Sequence, residues 1–132
     1  MLSEIEDRLL VELEWAGEEN FPTLLNSIFE PIGVEEEVEK VRDALSSMLI
    51  KRLIAIAVER NQTNGLVEVP TPKSIELIKN FDQHLIFKSD GGHWTGGARP
   101  WPTVVLTSLG RAEGREVLAR RGYRWWRGVA SE

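Results

Sequence analysis

The chain has 132 residues, 42% of them hydrophobic, with no cysteine and a formal net charge of −5. That length suits a single domain, able to bury about two thirds of its unfolded surface without a staple. The lack of cysteine excludes disulfides, thiolate zinc sites and a cysteine nucleophile, and fits a reducing compartment. No apolar run approaches the roughly 18 to 20 residues that cross a bilayer. The N-terminus is acidic where a signal peptide is basic, so the expectation is a cytoplasmic protein with no membrane partner. Charge is unevenly spread: residues 1–50 hold 3 Lys+Arg against 13 Asp+Glu, and residues 51–132 hold 13 against 8. Such asymmetry either steers a charged partner or only solvates one half.

Ser3 and Glu6 have capping-box spacing, and Ile5, Leu9, Leu10 and Leu13 then repeat at helical intervals, predicting a helix from about 4 to 16 closed by Gly17. Pro22 suits the first turn of a short helix, about 22 to 29, with Leu24, Leu25, Ile28 and Phe29 on its apolar face. Val34, Val38, Val41, Leu45, Met48 and Leu49 mark a third helix, about 34 to 49, whose other face carries Glu35, Glu36, Glu37, Glu39, Lys40, Arg42 and Asp43.

The pattern then changes to strands. The run from Leu53 to Val58 reads as one, Asn64-Gly65 as a turn, and Leu66 to Val69 as the return. Pro70 and Pro72 break the chain before a helix of about 73 to 81. A third strand is expected from His84 to Lys88, a glycine-rich loop over residues 89–100, a last strand over 103–107 and a last helix over about 108 to 121. A basic aromatic tail, Arg120-Arg-Gly-Tyr-Arg-Trp-Trp-Arg127, follows.

Three helices followed by strand, loop and strand is an order similar to that of the winged-helix superfamily. The stretch from Val41 to Ile56 resembles a recognition helix running into a wing strand, and Leu106-Thr-Ser-Leu-Gly110 resembles the exit from a wing. The resemblance covers residues 3–58 and 102–121. It implies an α+β fold with a winged-helix-like three-helix core (1–50), antiparallel β-hairpins containing the wing and an insertion (51–107), and a C-terminal helix with its tail (108–132). It also implies a DNA-binding module of the bacterial transcription-regulator kind. Two features depart from the pattern. Residues 59–102 exceed an ordinary wing: either they are an insertion into it, or 53–69 is the wing hairpin with an added β-hairpin and helix behind it. Glu35-Glu-Glu37 at the start of the third helix would meet phosphates with like charge.

Under the DNA reading, phosphate contacts are expected from Lys51 and Arg52 at the helix–wing junction, His93 and Arg99 in the glycine-rich loop, and Arg111, Arg115, Arg120, Arg121, Arg124 and Arg127 beyond it. Tyr123, Trp125 and Trp126 are candidates for a partner or homodimer contact, since aromatic residues and arginine dominate interface hot spots. The tryptophans could equally pack back on the core with the arginines solvated. The loop around Gly91-Gly92 and Gly96-Gly97 is either a phosphate cradle or a hairpin connection. The competing function is a protein-interaction module. In it the acidic third helix, with Glu12, Glu14, Glu18 and Glu19, docks a basic partner, or the tail forms a homodimer.

Catalysis is not expected. His84 and His93 lie nine positions apart, and no zincin, nucleophile-elbow or phosphate-loop motif is present. No cofactor or metal is called for by any spacing.

Overall fold

A computed structural model of the chain describes residues 2–59, 65–96 and 102–127. The fold is α+β. It opens with α1 (Glu4–Ala16), β1 (Glu18–Asn20), α2 (Phe21–Ile28) and α3 (Glu35–Ile50). Then come β2 (Ile54–Glu59), β3 (Leu66–Glu68), α4 (Thr71–Lys79) and a 3₁₀ turn at Phe81–His84. It closes with β4 (Leu85–Lys88), β5 (His93–Gly96), β6 (Thr103–Leu106), α5 (Ser108–Arg121) and a 3₁₀ turn at Trp125–Arg127.

Local chemistry explains the boundaries. The Ser3 hydroxyl accepts from the Glu6 amide while the Glu6 carboxylate accepts from the Ser3 amide, so the capping box at α1 is complete. Gly17 ends that helix at φ 88°, a conformation favoured for glycine. Asn20 caps α2 by accepting from the Thr23 amide at 2.9 Å. Thr107 caps α5 by accepting from the Gly110 amide at 3.0 Å.

Four strands form one antiparallel sheet in the order β1-β6-β2-β3. β6 is thus the partner of both β1 and β2, with Val105 opposite Glu18 on one side and Ala55 on the other. β2 also forms a hairpin with β3 on its outer edge. The segment between β2 and β6 therefore contains a hairpin strand, a helix and a separate two-stranded sheet of β4 and β5. The helices pack over the sheet through Leu9, Leu10, Leu13, Leu24, Leu25, Leu45, Met48 and Ile56, all fully buried. Each such side chain contributes about 1.5 to 3 kcal/mol by leaving water.

The sequence expectations need one addition and three corrections. The sequence assigns no element to Glu18–Asn20: Glu-Glu-Asn has poor strand propensity, and pairing with β6 makes it a strand. The loop over 89–100 is a tight turn at 89–92 followed by β5, with residues 97–100 outside the described set. Pro72 lies inside the first turn of α4, where its missing donor is no loss. His84 ends a 3₁₀ turn instead of starting a strand.

Candidate functional site

The α2–α3 turn is where an acidic docking face or a groove-entering helix would present itself. Glu35, Glu36 and Glu39 are exposed there, with Asp43 further along, and Glu36 pairs with Lys40 at 3.2 Å. Glu37 is different. It is buried and accepts from the amides of Ile32 at 3.0 Å and Gly33 at 3.1 Å. It also accepts from the Trp94 indole at 3.1 Å. The acidic face expected from the sequence therefore loses Glu37, whose carboxylate serves as an internal cap.

β5 fixes this arrangement. The Asn26 side chain donates to the Trp94 carbonyl at 2.9 Å and accepts from the Trp94 amide at 2.7 Å, imitating a strand partner from α2. Trp94 packs edge-on to Phe87 with centroids 5.3 Å apart, and the Phe87 ring fills the space beside Gly33 where a side chain would stand. The β4–β5 hairpin thus covers the α2–α3 turn, and α4 packs along α3 and β2. The glycines at 91 and 92 take positive φ in the hairpin connection.

The basic aromatic tail folds inward. Arg121 pairs with Glu4 at 2.8 Å and with Asp7 at 3.3 Å, and lies 4.0 Å over the Trp125 ring. Arg124 reaches the buried Glu12 through Nε at 3.2 Å and Nη2 at 3.3 Å. Arg127 donates to the carbonyls of Asn26 and Phe29. The Trp125 indole donates to Glu4 at 3.0 Å and the Trp126 indole to the Ser27 carbonyl at 3.2 Å. Tyr123 stacks on Trp15 at 4.6 Å. Of the three fates open to the tail, phosphate contact, a partner or homodimer contact, and packing on the core, the last describes the tryptophans. Arg121, Arg124 and Arg127 are held by partners within the chain, where solvation or phosphate contact is expected from the sequence, and Arg120 stays exposed.

These contacts leave a charge signature. Burial opposes ionisation of Glu4, yet hydrogen bonds from Arg8, Arg121 and Trp125 outweigh it and hold its carboxyl below the usual range. Burial pushes Asp7 up despite Arg121. The hydrogen bond to Glu12 raises Arg124 further, and burial followed by the nearby Glu12 charge raises Tyr123.

The other expected contacts scatter. Lys51 pairs with Glu6 at 2.9 Å and Arg115 with Glu14 at 3.4 Å. Arg52, at φ 62°, Arg111 and Arg120 are exposed and have no ion-pair partner among the described residues. His93 is exposed at the start of β5, and Arg99 lies outside the described residues. Among the described residues no group of three or more His, Asp or Glu side chains is placed to hold a metal.

Three features escaped the sequence reading. Glu37 falls on the polar face of the third helix in the sequence, yet it is buried. Glu12 lies inside the apolar stripe of α1, two residues after Leu10 and one before Leu13, and an acid in such a stripe is a signal for a buried partner. A pocket of about 190 Å³, lined by Phe21, Pro22, Leu77, Phe81 and Leu85 with Lys73 and Gln83 at its polar side, joins elements far apart in the chain. Among the described residues no helix is long and apolar enough to cross a membrane. No protein-family model matches this chain, and no curated protein or solved structure matches it.

Proposed function

We propose that this chain is a cytoplasmic, non-enzymatic winged-helix-type module of the transcription-regulator kind, and that it contacts a basic protein partner through α3. Support for the winged-helix reading comes from the helix order and from β2 and β6. These strands pair antiparallel although a long excursion separates them, as two wing strands do. The observation that carries the protein-contact reading is the N-terminal end of α3. It presents Glu35, Glu36 and Glu39 to solvent, while Glu37 and Trp94 fasten the β4–β5 hairpin over the turn before it. A phosphate backbone would meet both like charge and an added structural layer there.

A second reading, DNA contact away from α3, is favoured by exposed Arg52, Arg111 and Arg120, which lack ion-pair partners among the described residues. Fluorescence anisotropy separates the two. An arginine-rich peptide should bind the wild type with marked salt sensitivity, and the triple variant Glu35→Lys, Glu36→Lys, Glu39→Lys should not bind it. Random-sequence duplex DNA at low salt should not bind the wild type. Duplex binding that weakens steeply with salt and drops in Arg52→Ala plus Arg111→Ala would replace the first reading with the second.

A further inference from the structure

Beneath the tail, two carboxyl groups meet one guanidinium. Glu12, on α1, is 2% exposed, and three donors from the tail point at it: the Tyr123 hydroxyl at 3.4 Å, and Nε and Nη2 of Arg124. Glu19 arrives at the same place from β1. Its carboxyl lies in hydrogen-bonding reach of Glu12, and its Oε2 is buried with no hydrogen-bond partner. α2 and β6, which also pack near β1, carry no titratable side chain. Among the described residues, the charged and titratable groups that act on Glu19 are Glu12, Arg124 and Tyr123.

We propose that Glu12, Glu19 and Arg124 form a proton-operated latch, in which one proton shared by the two carboxyls holds segment 122–127 against α1 and β1 and its loss releases that segment. With the proton present, Glu19 donates to the Glu12 carboxylate, and the single guanidinium balances the single negative charge. With the proton lost, two carboxylates face one guanidinium in a site sheltered from water, where like charges repel strongly. Burial, then the Glu12 charge, pushes Glu19 up to about 8 from its ordinary 4.5.

The direction of the pH effect follows from that raised value. A carboxyl whose closed-state value lies above its open-state value favours closure fully below the open-state value. The advantage falls about tenfold per pH unit above it and is lost by the closed-state value. The latch therefore weakens from about pH 4.5 upward and reaches its floor near pH 8. Gly122, at φ 84°, is the joint between α5 and the released segment. What comes free is a segment bearing Tyr123, Trp125, Trp126 and Arg127, side chains that α1 and α2 otherwise cover.

The test follows glutamate side-chain carbons and tryptophan indoles by NMR in the full chain from about pH 4 to 10. One glutamate carboxyl should titrate well above the ordinary carboxylate range, above about pH 6. The Trp125 and Trp126 indole signals should move with it, and amide exchange over 122–127 should accelerate beyond its intrinsic pH trend. Glu19→Gln, which keeps a donor and removes the titration, should hold the indole signals fixed across that range. The latch is overturned if every glutamate carboxyl titrates below about pH 6. Indoles that stay put while the carboxyl titrates, or that move unchanged in Glu19→Gln, overturn it as well.

Discussion

The carbonyl oxygen of Leu53 occupies the place where a side chain at residue 110 would stand, so Gly110 lets α5 rest directly on the start of β2. Thr107 completes the joint. Its hydroxyl donates to the Arg52 carbonyl at 2.6 Å and its amide to the Leu53 carbonyl at 3.0 Å. The Leu106-Thr-Ser-Leu-Gly110 stretch thus has a structural task that needs no ligand: threonine caps and ties, glycine permits contact.

Gly110→Ala tests the contact, because two effects oppose each other. Alanine gains roughly 1 kcal/mol in helix propensity. Overlap with backbone cannot be relieved by a rotamer change, and overpacking costs about 1 to 3 kcal/mol or more. With the propensity gain subtracted, net destabilisation of up to about 2 kcal/mol or more is expected by urea unfolding. The milder case is Gly114→Ala, where the nearest atom, the Leu10 carbonyl oxygen, is 3.1 Å away. It should be the less damaging of the two, and a reversed ranking would contradict the contact.

Glu37→Ala removes one carboxylate that three donors share: the amides of Ile32 and Gly33 and the Trp94 indole. Each buried donor left unmatched costs about 1 to 3 kcal/mol, although water reaches some of them. Destabilisation of about 2 to 4 kcal/mol is expected by the same assay. Glu36→Ala, one position away and exposed, should stay within about 0.5 kcal/mol. Equal effects would mean that Glu37 is an ordinary surface acid.

Arg124→Ala strips Glu12 of its guanidinium while Glu12 stays buried. Breaking a fully buried pair costs about 3 to 5 kcal/mol, and the partial exposure of Arg124 lowers the expectation to about 1 to 3. Arg111→Ala, exposed and without an ion-pair partner among the described residues, should change stability by less than about 0.5 kcal/mol. Thermal unfolding of both variants at neutral pH checks this. A neutral Arg124→Ala would return that arginine to the set available for phosphate.

The helices were legible because their signals are local. Apolar spacing, the Ser3 capping box, Pro22 and Gly17 all lie within a turn or two of what they specify. β1 was not, since nothing in Glu18-Glu-Asn20 asks for a strand until β6 lies beside it. β5 was hidden in the same way, with Trp94 set among glycines and its partners Asn26 and Glu37 far away in the chain. The charge asymmetry was visible, and its meaning was not. Glu4, Asp7, Glu12 and Glu14 from the acidic half pair with Arg121, Arg124 and Arg115 from the basic half. Surplus charge that reads as a lure for a partner is partly cancelled inside one molecule.

The position of β6 has a consequence for the order of events during synthesis. β1 has no other strand partner among the described residues, and the inner edge of β2 stays open until residues 103–106 arrive. Helices α1 to α3 are made first and must wait for the middle of their own sheet. The long excursion before β6 adds little delay through entropy, since loop closure grows only with the logarithm of length. Ribosome-bound chains ending before residue 103 should therefore expose the apolar undersides of these helices to chaperones, and the arrival of β6 sets when β1 can fold.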